Sequence, residues 1–154
     1  MVREKIKEFF FNSLYLIIIY LFFQIGLINR DQLKEKFLIS AFKDSNEDEI
    51  LNFSKIFSKF IINKYFRVKS KKTLNKKNFI KILVSASPNF YVNIIGKMLN
   101  FDQIYSTKID LKKKLGKIIG KNCYGYQKLI IIKKLNLKKN NLYFFTDSTS
   151  DLPL

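Results

Sequence analysis

The sequence contains no histidine and a single cysteine, Cys123. One thiol cannot build a disulfide framework within the chain. Without an imidazole there is no Cys/His zinc site, no histidine-based triad and no cysteine–histidine nucleophile pair. Any chemistry must therefore run on carboxylates, hydroxyls and lysine. Acid is scarce as well: 12 Asp and Glu stand against 29 Lys and Arg, a formal net charge of +17. That balance invites a nucleic-acid or anionic-membrane partner. The lysines, however, are scattered over almost every segment and do not collect on one helix face. They accompany abundant Asn, Ile, Phe and Tyr, residues encoded by AT-rich codons, so composition explains the charge better than a nucleic-acid grip does. The densest run, Lys112, Lys113 and Lys114, reads as a solvated hairpin tip. No internal repeat is visible.

What is present is apolar and aromatic. Hydrophobic residues make up 47% of the 154 positions and aromatics 16%, which argues against disorder and suffices for one core with a small accessory unit. The most hydrophobic stretch, "FFFNSLYLIIIYLFFQIGL", runs from Phe9 to Leu27. As a helix it would reach about 28 Å, close to a bilayer's hydrocarbon thickness. No small-residue cleavage site follows it, so it is no ordinary signal peptide. A membrane-inserted helix and a buried core helix both fit it. Asn12, Ser13 and Gln24 within it favour a helix that is buried or lies at a membrane surface over a single span.

Further helices follow. Arg30 to Phe42 places Leu33, Phe37, Leu38 and Ala41 on one face. "KDSNEDEI" supplies a loop and a helix start, with Ser45 or Asn46 as the cap and Glu47, Asp48 and Glu49 in the first turn. The helix from Ile50 to about Phe66 is expected to bury Phe53, Ile56, Phe57, Phe60 and Ile61. Residues 1–70 are thus all helical, with the hydrophobic segment 9–27 inside them, and residues 71–154 have a different texture. "FIKILVSASPNF" reads as a strand over Ile80–Val84, a tight turn, then a helix with Ser87 as N-cap and Pro88 at its first position. Phe90, Tyr91, Ile94, Ile95, Met98 and Leu99 supply that helix's apolar face. A short strand near Ile104, a hairpin excursion turning near Gly116, a helix from about Tyr126 to Leu135 and a buried strand at Leu142–Thr146 complete the series. Strand alternating with helix is the pattern of a parallel α/β sheet.

The chain closes on "FFTDSTSDLPL". Asp147 would sit just past the carboxyl end of the last strand, the edge where open α/β sheets bind ligands. Ser148 and Asp151 alternatively form a helix start of the Ser-x-x-Asp kind, with no chemistry. Three features nevertheless line up in order: Ser85 at a strand end before a helix, Lys128 in the first turn of the next main helix, and the pair Asp147 and Asp151 after the last strand.

In this order and spacing the chain resembles the haloacid dehalogenase superfamily of phosphatases. The likeness is greatest to the phosphoserine-phosphatase-like branch, which includes membrane-linked phosphatidylglycerophosphate phosphatases. "ILVSASPNFYV" is similar to the family's second motif, "STKID…GKIIGKNCYGYQK" to the stretch up to its third-motif lysine, and "FFTDSTSDLPL" to its fourth. The resemblance implies a three-layer, Rossmann-like core with an N-terminal helical cap. It implies a cytoplasmic, Mg²⁺-dependent phosphatase for phosphate monoesters on a small phosphorylated substrate (phosphoserine-like, lipid or sugar phosphate). Any membrane contact would lie at the inner face, through residues 9–27. By resemblance, Ser85 and the following amide of Ala86 would hold phosphate oxygens, and Lys128 would neutralise the phosphate. Asp147 would bind Mg²⁺, and Asp151 would complete the acidic site, through a bound water or by fixing Lys128. Tyr126 and Gln127 depart from the acidic residues that relatives often carry before this lysine.

One departure bears on activity. The family's nucleophile lies in Asp-x-Asp-x-(Thr/Val) on a strand before the cap. The aspartates here are Asp31, Asp44, Asp48, Asp102, Asp110, Asp147 and Asp151, and no two are separated by a single residue. The sequence is therefore expected to be a piece of a longer enzyme, with an incomplete core lacking the nucleophile strand and inactive alone. The competing expectation is a membrane-anchored or nucleic-acid-binding basic protein without catalysis.

Overall fold

In a computed structural model of the chain, residues 2–66, 74, 79–113, 115–137, 143–146 and 151 are described, with the backbone alone for residues 2–12. They fall into two compact units, Met1–Ile50 with Ile109–Ile119, and Leu51–Lys108 with Gly120–Leu154.

The first unit is built on two helices, α1 (Val2–Gln24) and α2 (Arg30–Phe42). The first stops at Gly26, whose φ of +77° is left-handed. There the Leu27 amide donates to Phe22 O at 2.9 Å and the Gly26 amide to Phe23 O at 3.1 Å, the paired bonds of a Schellman stop. Asn29 then starts α2 with a reciprocal box: its Oδ1 accepts from the Gln32 amide, and Gln32 Oε1 accepts from the Asn29 amide, each at 2.9 Å. Among the described side chains of α1 only Ile19 is buried, while Leu14, Ile17, Ile18, Leu21 and Phe22 are exposed. Along its described side chains, residues 13–24, α1 is therefore mostly exposed. Among the described residues, no helix is long and apolar enough to cross a membrane.

The hairpin excursion forms as expected. Ile109 and Ile118 make an antiparallel bridge, and Gly116 turns the chain at φ +78°. It packs closely on α2: a Cβ on Gly116 would fall 2.8 Å from the Ile39 backbone nitrogen. Glu35 ties the two together, accepting from Lys117 Nζ at 2.9 Å and the Ile118 amide at 2.8 Å.

The helix α3 (Glu47–Tyr65) is capped at Asn46, which exchanges hydrogen bonds with Glu49 at 2.9 Å each way. Its inner face corrects the expectation from sequence. Ile50, Ser54, Ser58 and Ile62, spaced by four, are buried, whereas Phe53, Ile56 and Phe60 are exposed. The small serines permit close approach: Ser58, at 0% exposure, donates to Ser54 O at 2.7 Å and lies 3.2 Å from Tyr91 O on the next helix. Phe57 packs edge-on against Tyr91.

The second unit centres on β1 (Ile82–Pro88), α4 (Asn89–Met98), β2 (Gln103–Thr107) and α5 (Tyr126–Lys134). The strands β1 and β2 are parallel, in register from Ile82 opposite Gln103 to Ser85 opposite Ser106, with an irregularity between Ser85 and Pro88. A parallel pair needs a crossover, and α4 provides it. Gly96 lets α4 sit down on the sheet, because a Cβ there would press into the Ile104 side chain. The fold is α/β, with the parallel β–α–β unit of a Rossmann-like core.

Three boundaries differ from the sequence reading. The first strand begins two residues later and runs to Pro88, so Ser87 is a strand residue and Pro88, with φ −56° and ψ 136°, is also the N-cap of α4. The fixed φ of proline suits extended backbone, and the helix starts only after it. Met98 is exposed, while Val92 and Gly96 are buried. Finally, residues 143–146 of the expected strand form no ladder, and Tyr143, Phe144 and Phe145 are exposed. Their apolar character matches a strand, but among the described residues no neighbouring strand pairs with them.

Candidate functional site

The carboxyl end of β1 carries Ser85 and Ala86, both half-buried. Ser85 Oγ accepts from the Ser87 amide at 3.1 Å, a turn-like bond that folds the chain toward α4. This bond uses a lone pair of Ser85 Oγ and not its hydrogen. Beside it, Ala86 O lies 2.7 Å from Thr107 Oγ1, at the end of β2. Thr107 is fully buried and also meets Asn122 Oδ1 at 2.8 Å and the Cys123 amide at 3.1 Å. This knot binds the ends of both strands to the loop that leads into α5. Burial of so many polar groups is tolerated because they satisfy one another.

From that loop the chain turns at Gly125, with φ +52°, into α5, where the Lys128 amide donates to Gly125 O at 2.9 Å. The Lys128 side chain runs inward to Asp151. Its Nζ donates to Oδ1 at 2.9 Å and Oδ2 at 2.7 Å, and Thr146 Oγ1 donates to Oδ2 at 2.9 Å. Asp151 is 5% exposed. Burial alone would push its carboxyl up. The hydrogen bonds from Lys128 and Thr146, with the ammonium's charge, outweigh that and hold it below the ordinary aspartate range.

The structure thus joins two of the sequence-derived residues, Lys128 and Asp151, and places Ser85 and Ala86 at the end of β1. Asp147 lies outside the described residues. Sequence reasoning missed Thr146, Thr107 and Asn122. Thr146 was legible only as a strand's last residue, and Asn122 stood within "GKNCYGYQK" with no marker of its buried bond.

Chemically, the pair is a fixed hydrogen-bond donor. An ammonium has three donors, and Asp151 takes two, which leaves one for an anion's oxygen. The carboxylate neutralises the lysine's charge, so the pair offers direction more than net attraction. No group of three Asp, Glu, His or Cys residues is assembled among the described residues, and Asp147, the ligand the resemblance implies, lies outside them. Magnesium takes one or two carboxylates and several waters, and Asp151 keeps lone pairs for an ion beside its bonds to Lys128.

The sequence profile of a family described as haloacid dehalogenase-like hydrolase matches residues 2–154. A comparison with curated proteins gives no significant match. Among solved structures, the chain is similar to a protein of unknown function from Bordetella pertussis Tohama I, with a TM-score of 0.61 and 14% identity over 76% of this chain. That likeness concerns the fold, and the present chain spans 54% of the other's length. The β–α–β core, the lysine of α5 locked to a buried aspartate and the match along the sequence agree: the chain belongs to the haloacid dehalogenase-like hydrolases.

Proposed function

We propose that Ser85, Ala86 and Lys128 are the phosphate-holding side of a phosphate-monoester phosphatase whose nucleophilic carboxylate comes from outside these 154 residues. The observation that carries this reading is the hydrogen-bonded cluster of Lys128, Thr146 and the buried Asp151. Phosphoryl transfer spreads charge over equatorial oxygens, so catalysis consists mainly of holding donors where that charge develops. A lysine clamped by a carboxylate needs no reorganisation to do so. The Ser85 hydroxyl is the complementary donor, and the resemblance adds the backbone amide of Ala86.

In the complete reaction a carboxylate oxygen attacks phosphorus. The ester P–O bond breaks, the departing oxygen takes a proton, and water then cleaves the aspartyl phosphate. Lys128 contributes one N–H to a phosphate oxygen throughout. Magnesium, which the family generally employs, would need Asp147 and further oxygens beyond the described set. The substrate is a small phosphorylated molecule.

The test is binding, separate from turnover. ³¹P NMR of inorganic phosphate with the purified chain should show exchange broadening that Lys128→Met and Ser85→Ala each diminish. Undiminished broadening in both variants would remove the proposed site.

A further inference from the structure

One hydroxyl joins the two arms of the proposed phosphate site, that of Thr107, at 0% exposure. The first arm is the end of β1. Its register with β2 is irregular between Ser85 and Pro88, the interval that contains Ala86 and Ser87, where the regular ladder is interrupted. Thr107 Oγ1 donates to Ala86 O at 2.7 Å across this interval. The second arm is the loop that leads to Lys128. Thr107 Oγ1 accepts from the Cys123 amide at 3.1 Å, and Asn122 Oδ1 lies 2.8 Å from the same hydroxyl. From there a run of backbone bonds reaches the lysine. The Tyr124 amide donates to Asn122 O at 2.8 Å, the Gln127 amide to Tyr124 O at 3.1 Å and the Lys128 amide to Gly125 O at 2.9 Å. Cys123 is 2% exposed and Asn122 7%, so water does not readily replace the bonds that Thr107 makes.

We propose that Thr107 is a positioning residue, whose hydroxyl sets the spacing between the Ser85–Ala86 end of β1 and the Lys128 ammonium. The inference deepens the phosphate-holding reading of those residues and rests on it. Thr107 touches no substrate and acts through both arms. Donors that share one phosphate are effective only at the right separation, and donors already fixed there need no reorganisation as charge develops. Asp151 fixes the head of Lys128. Thr107 fixes the loop from which the lysine's helix starts. A valine of the same shape would fill position 107, but it could neither donate to Ala86 O nor accept from the Cys123 amide.

The test compares Thr107→Val, which removes the hydroxyl at nearly constant shape, with Thr107→Ser, which keeps it. Gly96→Ala, at the contact of α4 with the sheet, controls for lost stability alone. Each full chain is titrated with inorganic phosphate by ³¹P NMR at a temperature where circular dichroism shows it folded. Thr107→Val should bind phosphate about tenfold more weakly. Thr107→Ser and Gly96→Ala should stay within about twofold of the native chain. The ¹H–¹⁵N signal of the Lys128 ammonium is a readout free of phosphate. It should broaden away in Thr107→Val, as a loosened ion pair exchanges its protons with water, and persist in Thr107→Ser. Native affinity in Thr107→Val, an equal loss in Thr107→Ser, or an equal loss in Gly96→Ala would each overturn the inference. If the native chain binds no phosphate, the phosphate-holding reading falls and the ammonium signal decides for Thr107. Its loss in Thr107→Val with retention in Thr107→Ser would support the positioning role, and its retention in both would overturn it. If Thr107→Val does not fold, Thr107→Cys takes its place with the same outcomes, because a thiol is only a weak donor and acceptor.

Discussion

At the scale of single residues, Lys128 and Asp151, which we propose to serve the phosphate site, form a little-exposed ion pair that ties α5 to the chain beyond Thr146. Their side chains are 12% and 5% exposed, so solvent screens the pair little. Removing one partner strands a buried charge. We expect Lys128→Met to destabilise the chain by about 3 kcal/mol in urea unfolding. Replacing both, as Lys128→Met with Asp151→Leu, should recover most of that loss, because a well-packed apolar pair replaces the ions. If the double variant were no more stable than the single one, the loss would lie elsewhere than in the charge.

The depressed carboxyl of Asp151 also sets a pH dependence. A group whose folded value lies below its unfolded value stabilises fully above the unfolded value, about 3.9 for aspartate. That contribution disappears as pH falls through the lower, folded value. The stability difference between the native chain and Asp151→Asn should therefore be constant near neutrality and shrink only below about pH 4. A difference that shrank between pH 6 and pH 8 would point to another group. The residues alone did not show this pairing, since Lys128 is one lysine among many and Asp151 lies 23 residues away; only the family resemblance implied it, as one of two roles for Asp151.

Among elements, the helix-starting and helix-stopping signals were the legible part. Arg30–Phe42 has the boundaries its periodicity indicates, and Asn46 with Glu49 starts α3 as the acidic first turn suggests. The face of α3 was not legible, because hydrophobic periodicity weighs large residues and this helix buries small ones, Ser54 and Ser58, to approach Tyr91. Burial there follows the need for close approach rather than side-chain size. The same logic governs α4, where Gly96 meets the sheet. Gly96→Ala gains helix propensity yet sets a Cβ 2.8 Å from Ile104 Cγ1. We expect a net loss of about 1 kcal/mol in thermal or urea unfolding, since overpacking a fitted contact outweighs the propensity gain. Adding Ile104→Val, which removes the terminal methyl, should restore part of the loss. A stabilising single variant would show that α4 has room to lift.

For the molecule as a whole, the order of motifs was legible and the pairing of strands was not. A strand forms only where a neighbour completes its ladder, so the apolar run ending at Thr146 reads as a strand, while among the described residues 143–146 join no sheet. The sequence holds no Asp-x-Asp, and among the described residues β1 pairs with β2 alone. The decisive measurement is Mg²⁺-supported hydrolysis of p-nitrophenyl phosphate by the purified 154-residue chain, alone and fused at its N-terminus to a strand bearing Asp-x-Asp-x-Thr. The chain alone should release no p-nitrophenol, and the fusion should release it in a manner lost with Lys128→Met. Turnover by the chain alone, abolished by Asp147→Ala, or a fusion as silent as the chain, would contradict the account.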